Sequence, residues 1–129
     1  MTDDECREAL TLTTVGRAAV VTPQGPYLVP VNYAVVGNTV YFRVRSGTEL
    51  GSHIDQSLMA FEVDRIAPLD QTGWSVLARG TGRLVDDPAE VELVESSGPP
   101  RPWLWKPGRQ LYAMDWTDLS GRRMWDNDY

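Results

Sequence analysis

Residues 27–45 read Tyr-Leu-Val-Pro-Val-Asn-Tyr-Ala-Val-Val-Gly-Asn-Thr-Val-Tyr-Phe-Arg-Val-Arg, and this stretch decides the fold. Residues 27–36 are β-prone, Gly37-Asn38 is a two-residue hairpin signal, and residues 39–45 return as a second strand. The first strand is apolar on both faces, which implies core on one side and a partner chain or flat ligand on the other. Pro30 has no N–H to give to a ladder, so it marks an edge, a bulge or a break. In the second strand Val40, Phe42 and Val44 point one way, and Tyr41, Arg43 and Arg45 the other.

Toward the N-terminus, residues 18–22 form another strand, closed by the turn cluster Pro23-Gln24-Gly25-Pro26. Before it, Thr2-Asp3-Asp4-Glu5 is a capping box opening a short helix with Cys6, Ala9 and Leu10 on one face. Toward the C-terminus, Ser46-Gly47-Thr48-Glu49 reads as a second capping box, with a helix to about Gln56. Strands at 58–66 and 74–85 follow, and Gly80 and Gly82 within the latter suggest a bulge or a barrel bend. Asp86-Asp87-Pro88 opens a third helix carrying Val91, Leu93 and Val94, ended by Ser97-Gly98-Pro99-Pro100. After a Pro- and Trp-rich loop with Trp103 and Trp105, residues 111–117 and 122–125 read as a last hairpin around Leu119-Ser120-Gly121. About six strands in hairpins, with short helices between them, predict a mainly β, antiparallel barrel as one domain spanning residues 1–129.

Composition narrows the function classes. The chain of 129 residues carries a formal net charge of −6, which argues against non-specific nucleic-acid binding. One cysteine (Cys6) and one histidine (His53) leave no disulfide framework and too few ligands for a Cys/His metal site. No apolar run approaches a membrane span, and the acidic start lacks the layout of a signal peptide, so a cytoplasmic protein is expected. Glu62 and Asp64 share a strand face without marking a glycosidase, and no serine sits in a nucleophile-elbow context.

The chemistry concentrates after the hairpin. Arg43 and Arg45 stand on one strand face, on the order of 7 Å apart. A helix N-terminus at Ser46-Gly47-Thr48 follows them, where free N–H groups favour an anion. Together these form a phosphate seat; alternatively, both arginines pair with nearby acids. Asn32, the polar residue of the first strand, is placed either to hydrogen-bond a heterocycle or to satisfy backbone.

In order along the chain stand Val15-Gly16-Arg17-Ala18-Ala19-Val20-Val21, Pro30-Val31-Asn32-Tyr33, Val40-Tyr41-Phe42-Arg43 with Gly47-Thr48, Ala60-Phe61-Glu62-Val63-Asp64, Thr72-Gly73-Trp74-Ser75-Val76-Leu77 and Arg79-Gly80. This ordered set resembles the pyridoxamine 5′-phosphate oxidase-like flavin split barrels, especially their nitroimidazole-resistance-like, actinobacterial branch. The resemblance implies a six-stranded antiparallel split barrel, a homodimer, and FMN in two grooves between subunits for oxidoreductase chemistry on a small molecule. The alternatives are the deazaflavin coenzyme, or a flavin-storing or flavin-free binding protein. It implies that Pro30, Val31, Asn32 and Tyr33 lie along the isoalloxazine ring. It further implies that Arg43, Val44, Arg45, Ser46, Thr48 and Glu49 meet the ribityl-phosphate end, and that Trp74 is a cofactor residue. Two departures from the family pattern stand out. Val44 replaces a threonine, and Glu49 replaces a phosphate-binding lysine. No dedicated acid–base side chain is expected, because the flavin itself carries the chemistry.

Overall fold

In the computed structural model, residues 1–45, 47–97 and 109–124 are described. The order of elements is α1 (Asp3–Leu10), β1 (Val15–Thr22), β2 (Gly25–Val36), β3 (Thr39–Arg45), α2 (Glu49–Ile54), β4 (Leu58–Ala67), β5 (Thr72–Leu84), α3 (Pro88–Ser96) and β6 (Arg109–Met124). The six strands are antiparallel and close into a barrel in the order β1-β2-β3-β6-β5-β4, the last pairing back to β1. Closure pairs every strand with two neighbours over part of its length, which leaves little exposed edge.

Strand alternation builds the interior. Val40, Phe42 and Val44 of β3 join Ala18 and Val20, Phe61 and Val63, Val76 and Ala78, and Met114 in one core. Cys6, Ala9 and Leu10 of α1 and Leu50 and Ile54 of α2 are buried in the same core. The capping box at α1 forms as read, Glu5 N–H donating to Thr2 Oγ1 and Thr2 N–H to the Glu5 carboxylate. Helix α3 packs on the outside, Val94 resting with Tyr41, Leu111 and Ala113 in a second cluster. Below it a polar network fastens the helix. Arg83 donates two hydrogen bonds to Glu90 (2.6 Å each) and two to Asp115 (2.7 and 3.2 Å), and the Tyr41 hydroxyl donates to Glu90.

Two expectations are corrected. The last hairpin is instead one strand, β6, pairing with β3 through its first half and with β5 along most of its length. Leu119, Ser120 and Gly121 pair with Ala78, Leu77 and Val76 in mid-ladder. Gly121 is there for space, not for a turn, since a Cβ on it would lie 2.8 Å from the Cys6 sulfur. The ladder shifts register at Arg79/Gly80, and the Thr117 position is skipped between Asp118 and Trp116. The bulge read from Gly80 is therefore real, and a Cβ there would fall 2.0 Å from the Asp115 carbonyl oxygen.

The second correction is at α2. Its N-cap is Thr48, whose Oγ1 accepts the Gly51 N–H at 3.1 Å, so Glu49 is the first helical residue and closes no capping box. Ser46, read as that cap, lies outside the described residues, as do Trp103 and Trp105. Among the described residues no helix is long and apolar enough to cross a membrane.

Candidate functional site

The β2–β3 hairpin is paired only near its turn. The register runs from Val36↔Thr39 to Tyr33↔Phe42 and then stops. Before Tyr33, β2 continues with β1 alone, and after Phe42, β3 continues with β6 alone. Pro30 lies in the segment that has lost its β3 partner, where a residue without an N–H costs no ladder bond on that side. The barrel is split here.

Between the parted strands lies a cavity of about 460 Å³, within the range of small-molecule and cofactor sites. One wall is β2, with Tyr27, Val29, Pro30, Val31 and Asn32; the other is Arg43, Val44 and Arg45 of β3. Val15, Thr48, Leu50 and Arg109 complete the lining. The β2 wall is thus apolar save for Asn32, and the β3 side is cationic.

Asn32 is 4 % exposed, and its Oδ1 is buried with no hydrogen-bond partner among the described residues. A buried carbonyl oxygen left so costs about 1–3 kcal/mol, and it lines the cavity. Arg43 is 7 % exposed and forms an ion pair with Glu95 of α3. Burial draws its pKa down, while Glu95 acts against this. Arg45 lies directly opposite Arg109 across the β3–β6 ladder. Facing like charges are unfavourable, yet neither has an ion-pair partner among the described residues. Three guanidiniums therefore border one cavity, with Glu95 compensating the first.

The cavity brings together Pro30, Val31, Asn32, Arg43, Val44, Arg45 and Thr48. The Thr48 hydroxyl is committed: it donates to Arg45 O (2.8 Å) while capping α2. Tyr33 turns into the barrel, where its hydroxyl donates to Leu10 O (2.5 Å) and its ring meets Phe61 edge-on. Glu49 is exposed and outside the cavity. Trp74 lines a different depression with Met1, Glu8 and Arg123, so one chain does not place it with the others. Sequence reasoning missed Arg109 and Glu95. Arg109 was hidden because β6 was started two residues late, and Glu95 because nothing local shows that α3 lies on β3.

A further surface lies on the outside of β1, β2 and β4. Val21, Leu28 and Leu58 are 72 %, 65 % and 78 % exposed there, and Ala19 sits between Leu28 and Ala60 in register. Arg17, Glu62 and Asp64 stand on the same face, Arg17 reaching Asp64 at 2.5 Å and Glu62 at 3.6 Å. Burial, then the Asp64 carboxyl, push the Glu62 pKa up to about 7.

Comparison with known proteins places this architecture. The sequence matches the family model described as pyridoxamine 5′-phosphate oxidase over residues 2–123. It is 31 % identical over 93 residues to an uncharacterized protein of Mycobacterium tuberculosis, covering 68 % of this chain and 61 % of that one. The chain thus spans less than two thirds of that relative's length. Among solved structures, the FAD binding protein from Mycobacterium smegmatis is 27 % identical with a TM-score of 0.81, the match covering 96 % of each chain. A conserved protein of unknown function from Corynebacterium diphtheriae is 26 % identical with a TM-score of 0.80, covering 97 % of this chain and 95 % of the other.

Proposed function

The chain belongs to the pyridoxamine 5′-phosphate oxidase family, and from that premise we propose that it binds a flavin nucleotide in the β2–β3 cleft and serves as an oxidoreductase on a small organic substrate. The observation that carries the reading is the pairing of opposites in one cavity: an apolar wall with the unpartnered Asn32 Oδ1 faces a wall with Arg43, Arg45 and Arg109. A flavin nucleotide has the matching parts, a flat apolar heterocycle with an N–H and an anionic tail.

When bound, the flavin supplies hydride and electron transfer. The chain's own residues bind and orient. Asn32 Oδ1 accepts from a ring N–H, which relieves its buried oxygen. Val29, Pro30 and Val31 keep water from the ring face, and the guanidiniums hold the phosphate by charge-assisted bonds. FMN is the smallest flavin nucleotide that uses both walls. The like-charged pair Arg45↔Arg109 favours a second reading, FAD, whose pyrophosphate offers a further anionic group, and FAD is what the M. smegmatis relative binds.

A homodimer belongs to the same proposal. The exposed Val21, Leu28 and Leu58 form an apolar face on the outside of β1, β2 and β4, and a second copy laid on it would cover the unpartnered face of β2. Gel filtration should give the dimer mass, and Leu58→Asp should shift it to the monomer.

The test of the whole reading is direct. Purified protein should be yellow, absorbing near about 450 nm as flavins do, and should quench added FMN or FAD. Colourless protein that quenches neither would refute it.

A further inference from the structure

We propose that Glu95 is a specificity-determining residue of the cleft: its carboxylate, paired with Arg43 from the α3 side, competes with the anionic tail of the ligand and so moderates the preference for a phosphorylated flavin over an unphosphorylated one. The inference rests on the flavin reading and deepens it.

Arg43 serves two sides at once. It lines the cleft, yet it is ion-paired with Glu95 on α3, which packs against the outer face of β3. A guanidinium has several donors in a fixed plane, so one edge can hold a carboxylate while another faces the cleft. The two anions then share one positive charge, and each weakens the grip on the other.

Fastening α3 does not require this ion pair. Val94 is fully buried against the barrel, and Arg83, Glu90, Asp115 and Tyr41 form their own network under the helix. Glu90 is saturated by Arg83 and Tyr41, which leaves Glu95 as the α3 acid beside Arg43. Glu95, the penultimate residue of α3, is thus a charge placed at the cleft wall.

The experiment compares FMN with riboflavin, which lacks the phosphate, by fluorescence quenching on the full-length protein. The quantity read is the ratio of the two dissociation constants. Glu95→Gln should raise the preference for FMN on the order of tenfold, through tighter FMN binding with riboflavin unchanged. Glu95→Ala should give the same rise by the same loss of charge. Glu92→Gln, an identical charge change on the exposed side of α3, should leave the ratio where it is. An unchanged or lowered ratio in both Glu95 variants would overturn the proposal and make Glu95 a fastening or positioning residue. An equal rise in Glu92→Gln would overturn it too, as an effect of net charge. Failure of the wild type to quench either flavin would instead sink the flavin reading beneath it.

Discussion

Two seams of the same barrel behave in opposite ways. Between β5 and β6 the ladder runs from Gly73↔Met124 to Leu84↔Tyr112 with one register shift. Between β2 and β3 it stops at Tyr33↔Phe42 and leaves a cavity. The long seam is sealed by glycines: at Gly80 the backbones approach so closely that no side chain fits. The short seam has Pro30 on one strand, which has no N–H to give a ladder, and arginines on the other, which resist a dry interior. Closure and opening are written in the same currency, the size and charge of the residue placed at the wall. Fold resides in the first seam, and the proposed binding site in the second.

Each seam has its own way to fail. The largest effect is expected at the sealed one. Gly80→Ala puts a Cβ 2.0 Å from the Asp115 carbonyl oxygen, a backbone atom that cannot swing away. The ladder must part, at a cost of about 3 kcal/mol, or roughly 10 °C in Tm for a chain of this size. Thermal melts check this, and a Tm within a degree or two of wild type would show the seam to be looser than its geometry.

At the open seam, Arg43→Ala should lower the melt, because it truncates a buried side chain and strands Glu95. It should also weaken FMN on the order of 30-fold with riboflavin unaffected, as the loss of one charge-assisted contact implies. Equal losses for both flavins would mean that Arg43 holds the wall and not the phosphate. Arg109→Ala should act more gently and in two directions. It removes a like charge facing Arg45, so stability should rise by about 0.5 kcal/mol, while FAD binding weakens more than FMN binding. A variant that lost both stability and affinity would assign Arg109 a structural role.

The contrast between seams also marks what could be read from residue order. The hairpin 27–45 declares itself through Gly37-Asn38 and strict alternation, and the structure places Val40, Phe42 and Val44 in the core as that alternation requires. Of the edge, bulge or break that Pro30 signals, the structure shows the edge, with β2 continuous through it, and this was legible because a missing N–H is a local property. Gly121 was not. A glycine tolerating the Cys6 sulfur looks the same in sequence as a glycine in a turn, and only the packing of α1 tells them apart. Ser46 reads as the cap of α2 in the sequence, and the cap is Thr48, which accepts from Gly51. The cleft's cationic side was half legible. Arg43 and Arg45 share a strand face in the sequence, whereas Arg109 joins them through a register that pairs residues 64 apart. Glu95 reaches Arg43 by the docking of α3, a tertiary event with no sequence signature.

The β1–β4 seam lies between the two extremes, and its smallest effect is the most diagnostic. Its inner face is sealed by Ala18 and Phe61, while Arg17, Glu62 and Asp64 meet outside. Two influences on Glu62 disagree. Arg17 at 3.6 Å favours the carboxylate, but burial and the neighbouring Asp64 favour the acid, and the pKa of about 7 says that the latter prevail. The pair's geometry agrees, since 3.6 Å is an ion pair without a hydrogen bond. Between about pH 4.5 and 7 the folded chain keeps a proton on Glu62 that the unfolded chain has lost. Folded protein then binds more protons, so stability falls as pH rises through this window and levels off above it. Glu62→Gln cannot lose that proton and should flatten this part of the curve, gaining on wild type at pH 8 but not at pH 4.5. Partial exposure keeps the difference small, so melts at both pH values must be paired in one buffer series. Parallel curves for the two proteins would hand Glu62 to Arg17 and make this seam an ordinary ion pair. A gain at pH 8 that grows with protein concentration would join it to the apolar face of Val21, Leu28 and Leu58, because a second copy laid there dehydrates Glu62 further.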